Sequence, residues 1–120
     1  MELHIYLKEE FDKKHFIDGV DACNRRGYDL DKSEIKTWKL VSFTNRDGKD
    51  EAGLKHSGTQ YEYNGWVTLR VGAFSVVGEM RRSKNNPPEP EDEAIILFRF
   101  ASMIKRHFNK YVRTISLTGL

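Results

Sequence analysis

Residues 90–111, PEDEAIILFRFASMIKRHFNKY, form the longest periodic segment of the chain. Ala94, Leu97, Ala101, Ile104, Phe108 and Tyr111 recur at steps of three and four, the spacing of one helix face. Ile96, Phe100 and Met103 lie beside that stripe and widen it, so the helix is expected to bury a broad surface. Acids crowd its start (Glu91, Asp92, Glu93) and bases its end (Lys105, Arg106, Lys110), matching the helix dipole. Pro90 suits the first helical turn, where its missing N–H removes no helix bond. Phe98 and Phe100 cannot both sit at the centre of one face. One of them is expected to point outward and to mark a partner surface, a homodimer contact among the options.

Working outward, the segment needs a seat, and the chain before it supplies strands. In Glu2–Leu7, Leu3, Ile5 and Leu7 alternate with Glu2, His4 and Tyr6, as in a strand buried on one face. Asp12 is a candidate N-cap for a first helix over Lys13–Arg26, with Phe16, Ile17, Val20 and Cys23 on its apolar face and Gly27 just past its end. Lys36–Phe43 reads as a second strand. Residues 44–60 carry Asp47-Gly48, Gly53, Gly58 and many charges without periodicity, and read as one long loop. Residues 61–80 are rich in β-formers and hold at least two antiparallel strands. Asn64-Gly65 there is either a tight hairpin turn or the site of a bulge. A Pro-containing loop over 82–89 leads into the long helix, and Val112–Thr118 follows it as a last strand.

The resulting order is β-α-β-β-β-α-β. It predicts an α+β fold, with a mainly antiparallel sheet of four to five strands and two helices on one face. The 120 residues suit a single compact domain. Cys23 is the only cysteine, so no internal disulfide can form; with no leader-like start and no apolar run of ~20 residues, a cytoplasmic protein that does not enter a membrane is expected.

No catalytic constellation is visible. The four histidines, His4, His15, His56 and His107, lack metal-ligand spacing, and there is no paired Cys/His cluster and no glycine-rich phosphate loop. Nothing asks for a cofactor or a metal. Asp29-Leu30-Asp31 starts like a calcium loop, but Glu34 and Leu40 stand where that loop needs glycine and glutamate. Cys23 falls on a buried helix face, where a thiol is inert. An enzyme assembled from distant residues, such as His4, Glu62 and Arg70, has no reaction that can be named for it.

Two features remain as candidates for binding. Arg99, Arg106, Lys110 and Arg113 follow one another by seven, four and three, a basic stripe if the helix persists that far; Arg81 and Arg82 could extend it. Tyr61, Tyr63 and Trp66 cluster near the candidate Asn64-Gly65 hairpin tip, where exposed rings serve as stacking platforms or protein anchors. The first reading is a non-enzymatic protein-binding module of the inhibitor, immunity or regulatory type, with another protein as partner. The alternative is a nucleic-acid binder using the stripe and the strand aromatics. A net charge of +2 does not by itself point to nucleic acid.

Overall fold

The computed structural model describes residues 1–119. Six strands and two helices follow one another as β1 (Glu2–Leu7), α1 (Lys13–Arg26), β2 (Trp38–Thr44), β3 (Asp50–His56), β4 (Gly65–Val71), β5 (Val76–Arg82), α2 (Pro90–Phe108) and β6 (Val112–Thr118). All six strands join one antiparallel sheet, ordered β2-β3-β4-β5-β1-β6. The α+β architecture expected from the pattern is present, with one strand more than the four to five anticipated.

The additional strand is β3, which occupies part of the expected 44–60 loop. Its sequence, DEAGLKH, lacks the β-branched and aromatic residues typical of strands. Its place is set by its neighbours. β2 pairs with it from Trp38↔His56 to Thr44↔Asp50, around a turn at Asn45–Lys49 whose Asn45 side chain accepts from the Asp47 and Lys49 amides. Gly53 is buried against the Trp66 indole, and any side chain there would collide with that ring. A strand that must receive a tryptophan from its neighbour carries glycine, not valine, at that position.

β4 and β5 form the hairpin expected within 61–80. Its turn lies at Gly72–Ser75, closed by the Gly72 N–H donating to the Ser75 carbonyl at 2.8 Å. Asn64-Gly65 is not the hairpin turn. Gly65 opens β4 at φ 125°, and a side chain there would strike the Arg81 carbonyl. Only glycine combines that φ with so close an approach.

The alternation seen in β1 is realised: Leu3 and Ile5 are fully buried, and they share a core with Leu54, Val67, Val76 and Met80 from the same sheet face. Both helices cover that face. α1 contributes Phe16, Val20 and Cys23; α2 contributes Ile96, Leu97, Phe100, Met103, Ile104 and Phe108. The buried face of α2 is thus centred nearer Phe100 than the Ala94–Ala101 line, since both alanines are only partly buried. α1 is capped as its sequence predicts: Asp12 accepts from the His15 amide at 2.9 Å, and Gly27 closes the helix at φ 83°.

The opposite face of the sheet carries no helix. Lys39, Phe43, Lys55, Trp66, Arg70, Arg81, Glu79, His4 and Tyr6 project there by strand parity. β2 and β6 are the edges, each paired on one side only. No helix of the described residues is long and apolar enough to cross a membrane.

Candidate functional site

α2 lies on the sheet with two flanks, and a concavity opens beside each, with Ser102 lining both. The basic stripe expected along Arg99, Arg106, Lys110 and Arg113 does not persist as one face. α2 stops at Phe108, a 3-10 turn takes Asn109–Tyr111, and Arg113 already belongs to β6. Arg99 and Arg106 face the β2–β3 end of the sheet. Arg113 lines the β6 side, and its guanidinium sits 5.9 Å from the centre of the ring of Tyr6, a residue of the helix-free face. Lys110 lies over the Tyr111 ring at 5.0 Å.

On the β6 side, a groove of about 440 Å³ runs between α2 and the edge strand. Phe98, Ala101, Lys105, Ile115, Leu117 and Arg113 are among the residues lining it. Phe98 is 52% exposed while Phe100 is fully buried, so the outward phenylalanine expected from the pattern is Phe98. Ile95, one turn earlier on the same flank, is also exposed. The two charged residues among the described lining, Lys105 and Arg113, are both cations.

β6 itself, VRTISLT, has high strand propensity and carries no proline, no glycine and a single charge. Sheet edges in monomeric proteins are commonly protected by inward charges, prolines, bulges or covering elements. The one irregularity in the β1–β6 ladder lies near its start, between Tyr6 and Leu7. From Thr114 to Thr118 the pairing is regular, and no described strand pairs with the outer edge.

On the other flank, a pocket of about 340 Å³ is lined by Lys36, Thr37, His56, Thr59, Arg99, Arg106 and His107, among others. His56 is buried, held edge-on by Trp38 with ring centroids 4.9 Å apart, and its Nδ1 lies 2.8 Å from the Thr59 hydroxyl. Burial, and secondly the charge of Arg99, holds its pKa below the usual histidine value. His107 is fixed by Asp29, with Nδ1 to Oδ2 at 2.8 Å and both side chains 6% exposed. The other Asp29 oxygen accepts from the Asp31 and Ser33 amides. The His107 bond, followed by those amide bonds, draws the Asp29 pKa below the ordinary carboxylate value despite burial.

The remaining sequence candidates separate. Tyr61 is buried, with the Arg99 guanidinium 5.2 Å from its ring centre, and so belongs to the second pocket's wall. Tyr63 is 69% exposed on the far side of that loop, beside Lys55. Trp66 packs on Phe43 with centroids 4.4 Å apart, on the helix-free face. Its indole N–H is shut off from solvent without a partner among the described residues. Arg81 approaches Glu51 at 4.0 Å. Arg82 grips the buried Glu93 through two nitrogens, at 2.9 to 3.3 Å, and serves as that carboxylate's counter-charge. Cys23 is 1% exposed; burial raises its pKa, and its Sγ accepts from Arg26.

The sequence did not single out Lys36, His56, Lys105, Asp29 or His107 as site residues. Asp29 and His107 are 78 positions apart, and no local spacing signals their contact. Compared with protein-family models, with curated proteins and with solved structures, the chain gives no match. The two concavities beside α2 are therefore read on their own chemistry.

Proposed function

We propose that this chain is a non-enzymatic protein-binding module, and that its partner docks as an extended segment along β6. The observation that carries this reading is the conjunction of an uncovered edge with the Phe98 groove beside it. An added strand takes up the unpaired N–H and C=O groups of β6, and alternate side chains of that strand enter the groove. Lys105, with no carboxylate among the described lining residues, calls for a partner segment carrying an acidic residue beside its apolar ones. This is the mode expected of a small inhibitory or regulatory protein.

The nucleic-acid reading draws less support from the same geometry. The stripe is split between two flanks, which removes a continuous track for phosphates. On the helix-free face Arg70 is matched by Glu2 and Glu79, Arg81 by Glu51, and Lys55 by Glu62. Cations already paired with carboxylates release few counterions on meeting a polyanion.

Selection of random peptides displayed on phage tests the proposal. Binding peptides are expected to show alternating apolar positions and an acid, and to protect outward amides of β6 from hydrogen exchange. F98D, at a half-exposed position that leaves the core intact, is expected to abolish their binding. Peptides whose binding is indifferent to F98D, or whose amide shifts cluster away from β6 and α2, would refute the docking mode. A concentration-dependent dimer abolished by F98D would replace the foreign segment with a second copy of the chain.

A further inference from the structure

The pocket on the other flank of α2 has a chemistry of its own. Lys36, Arg99 and Arg106 line it, and among the described lining residues Glu34 is the only carboxylate. None of the three cations forms an ion pair among the described residues. This contrasts with the helix-free face, where the arginines meet carboxylates. Two guanidiniums and an ammonium, unpaired and facing a single lining carboxylate, leave a surplus of positive charge around one concavity, which an anion in the pocket relieves.

All three cations are exposed, but the wall behind them is ordered. Arg99 and Arg106 are seven residues apart, two turns of α2, or about 10 Å along its axis, with Ser102 between them on the pocket side. Arg99 is braced over the buried Tyr61 ring. His56 and His107 are both locked through Nδ1, by Thr59 and by Asp29, so each ring is held in a set orientation at the wall. Thr37 adopts φ 67°, a left-handed conformation that a β-branched residue avoids, and its carbonyl accepts from the Ser57 amide at 2.6 Å. That strained residue sets the course of the backbone between Lys36 and Trp38, both of which line the pocket.

We infer that the Lys36–Arg99–Arg106 pocket is a binding site for a phosphate group, either free or as a small phosphate monoester. Planar guanidiniums match phosphate oxygens bidentately, and a lysine adds a point charge. The pocket volume accommodates a phosphate with a small organic substituent, and the Trp38 and Met103 surfaces give that substituent an apolar wall.

The test is titration of the full chain with inorganic phosphate and with adenosine monophosphate at low chloride, followed by amide chemical shifts and calorimetry. Saturable shifts at residues 36–37, 56–59 and 99–107 are expected for at least one of the two. Arg99→Met and Arg106→Met should each weaken binding about tenfold or more, while K84A, on the loop before α2, leaves it unchanged. Tighter binding of the ester identifies a monoester ligand, and equal binding identifies free phosphate. Lys36→Met, an exposed position before β2, provides a second variant should an arginine replacement unfold. The inference is overturned if neither phosphate nor the ester shifts these residues at millimolar concentration. It is overturned equally if binding survives Arg99→Met, Arg106→Met and Lys36→Met alike. Because the β6 groove is on the opposite flank, F98D should leave phosphate binding intact, so failure of one site is read separately from failure of the other.

Discussion

Asp21 on α1 offers a direct measure of how this fold distributes charge. Its pKa is raised from the ordinary 3.8 to about 6, chiefly by burial, then by Asp18 one turn earlier; Arg25 one turn later offsets part of this. The folded state therefore holds the Asp21 proton more tightly than the unfolded chain does. Folding binds protons between pH 3.8 and about 6, so this group's contribution is fully present below 3.8 and is lost as pH rises through about 6. Above that, the carboxylate burdens the fold with a constant penalty. A shift of roughly two units at 1.36 kcal/mol each sets a ceiling of about 3 kcal/mol. The side chain keeps part of its contact with water, and screening reduces this to about 1 kcal/mol. D21N keeps the shape of the protonated acid and removes the charge. It should stabilise the protein by about 1 kcal/mol at pH 7, or about 4 °C in melting temperature. Urea denaturation of both proteins from pH 4 to pH 8 is the assay. Their difference should be near zero at pH 4, rise through pH 5–6 and level off. His56 acts in the opposite sense: with its folded pKa lowered, it withdraws stability as pH falls below 6.5. The native protein should therefore be less sensitive to acid than D21N over this range. A difference that is constant with pH, or a D21N protein less stable at pH 7, would show that Asp21 is neither desolvated nor repelled by Asp18 as described.

Two further outcomes follow from local geometry. D29A removes the acceptor of three hydrogen bonds at a buried site, from His107, Asp31 and Ser33. It should cost about 2–4 kcal/mol in chemical denaturation. Because the folded Asp29 pKa is lowered, that contribution exists above pH 3.8 and disappears as pH falls through the folded value, so the deficit of D29A should shrink in strong acid. G19A lies within α1, where a methyl group would meet nothing within 4 Å. The variant should gain about 0.5–1 kcal/mol from helix propensity alone, read as a higher urea midpoint at unchanged slope. Loss of stability would mean that α1 needs the glycine for packing.

The parts of the fold that repeat in sequence were legible, and those set by a single cross-strand contact were not. The α2 face, the β1 alternation and the α1 caps each depend on residues a few positions apart; the last two are found as their patterns imply, and the α2 face is found turned toward Phe100. β3 has no such pattern. Its glycine makes sense only beside Trp66, thirteen residues on, and its turn only through the Asn45 side chain. The same distinction governs the candidate sites. That one of Phe98 and Phe100 points outward could be recognised, because the helix alone dictates that geometry; which of the two needed the packing on the sheet. The Asp29–His107 contact and the convergence of Lys36 on Arg99 need the whole sheet to bring them together. The stripe from Arg99 to Arg113 failed as one surface for a related reason. Its spacing assumes α2 continues, whereas β6 must begin at Val112 to pair with Leu7.

That early termination also makes the two flanks of α2 different. Had the helix continued past Phe108, Arg113 would have extended the Arg99–Arg106 side and left the opposite groove without its second cation. Ending at Phe108 sends Arg113 to the β6 side with Lys105 and leaves Arg99 and Arg106 with Lys36 and the two anchored histidines. The β6 groove then combines half-exposed phenylalanine with an open edge, suiting an extended chain. The other pocket combines unpaired cations with fixed imidazoles, suiting a compact anion. A covered β6 edge would make the groove a mere crevice. A carboxylate beside Arg99 or Arg106 would make the pocket an internal ion pair, as it is for Arg82 and Glu93. Introducing a carboxylate into this pocket, as R106E at a position that does not line the β6 groove, should therefore abolish phosphate binding while leaving peptide capture at β6 intact. Loss of both together would mean that α2 and β6 respond as one unit, not as two independent sites.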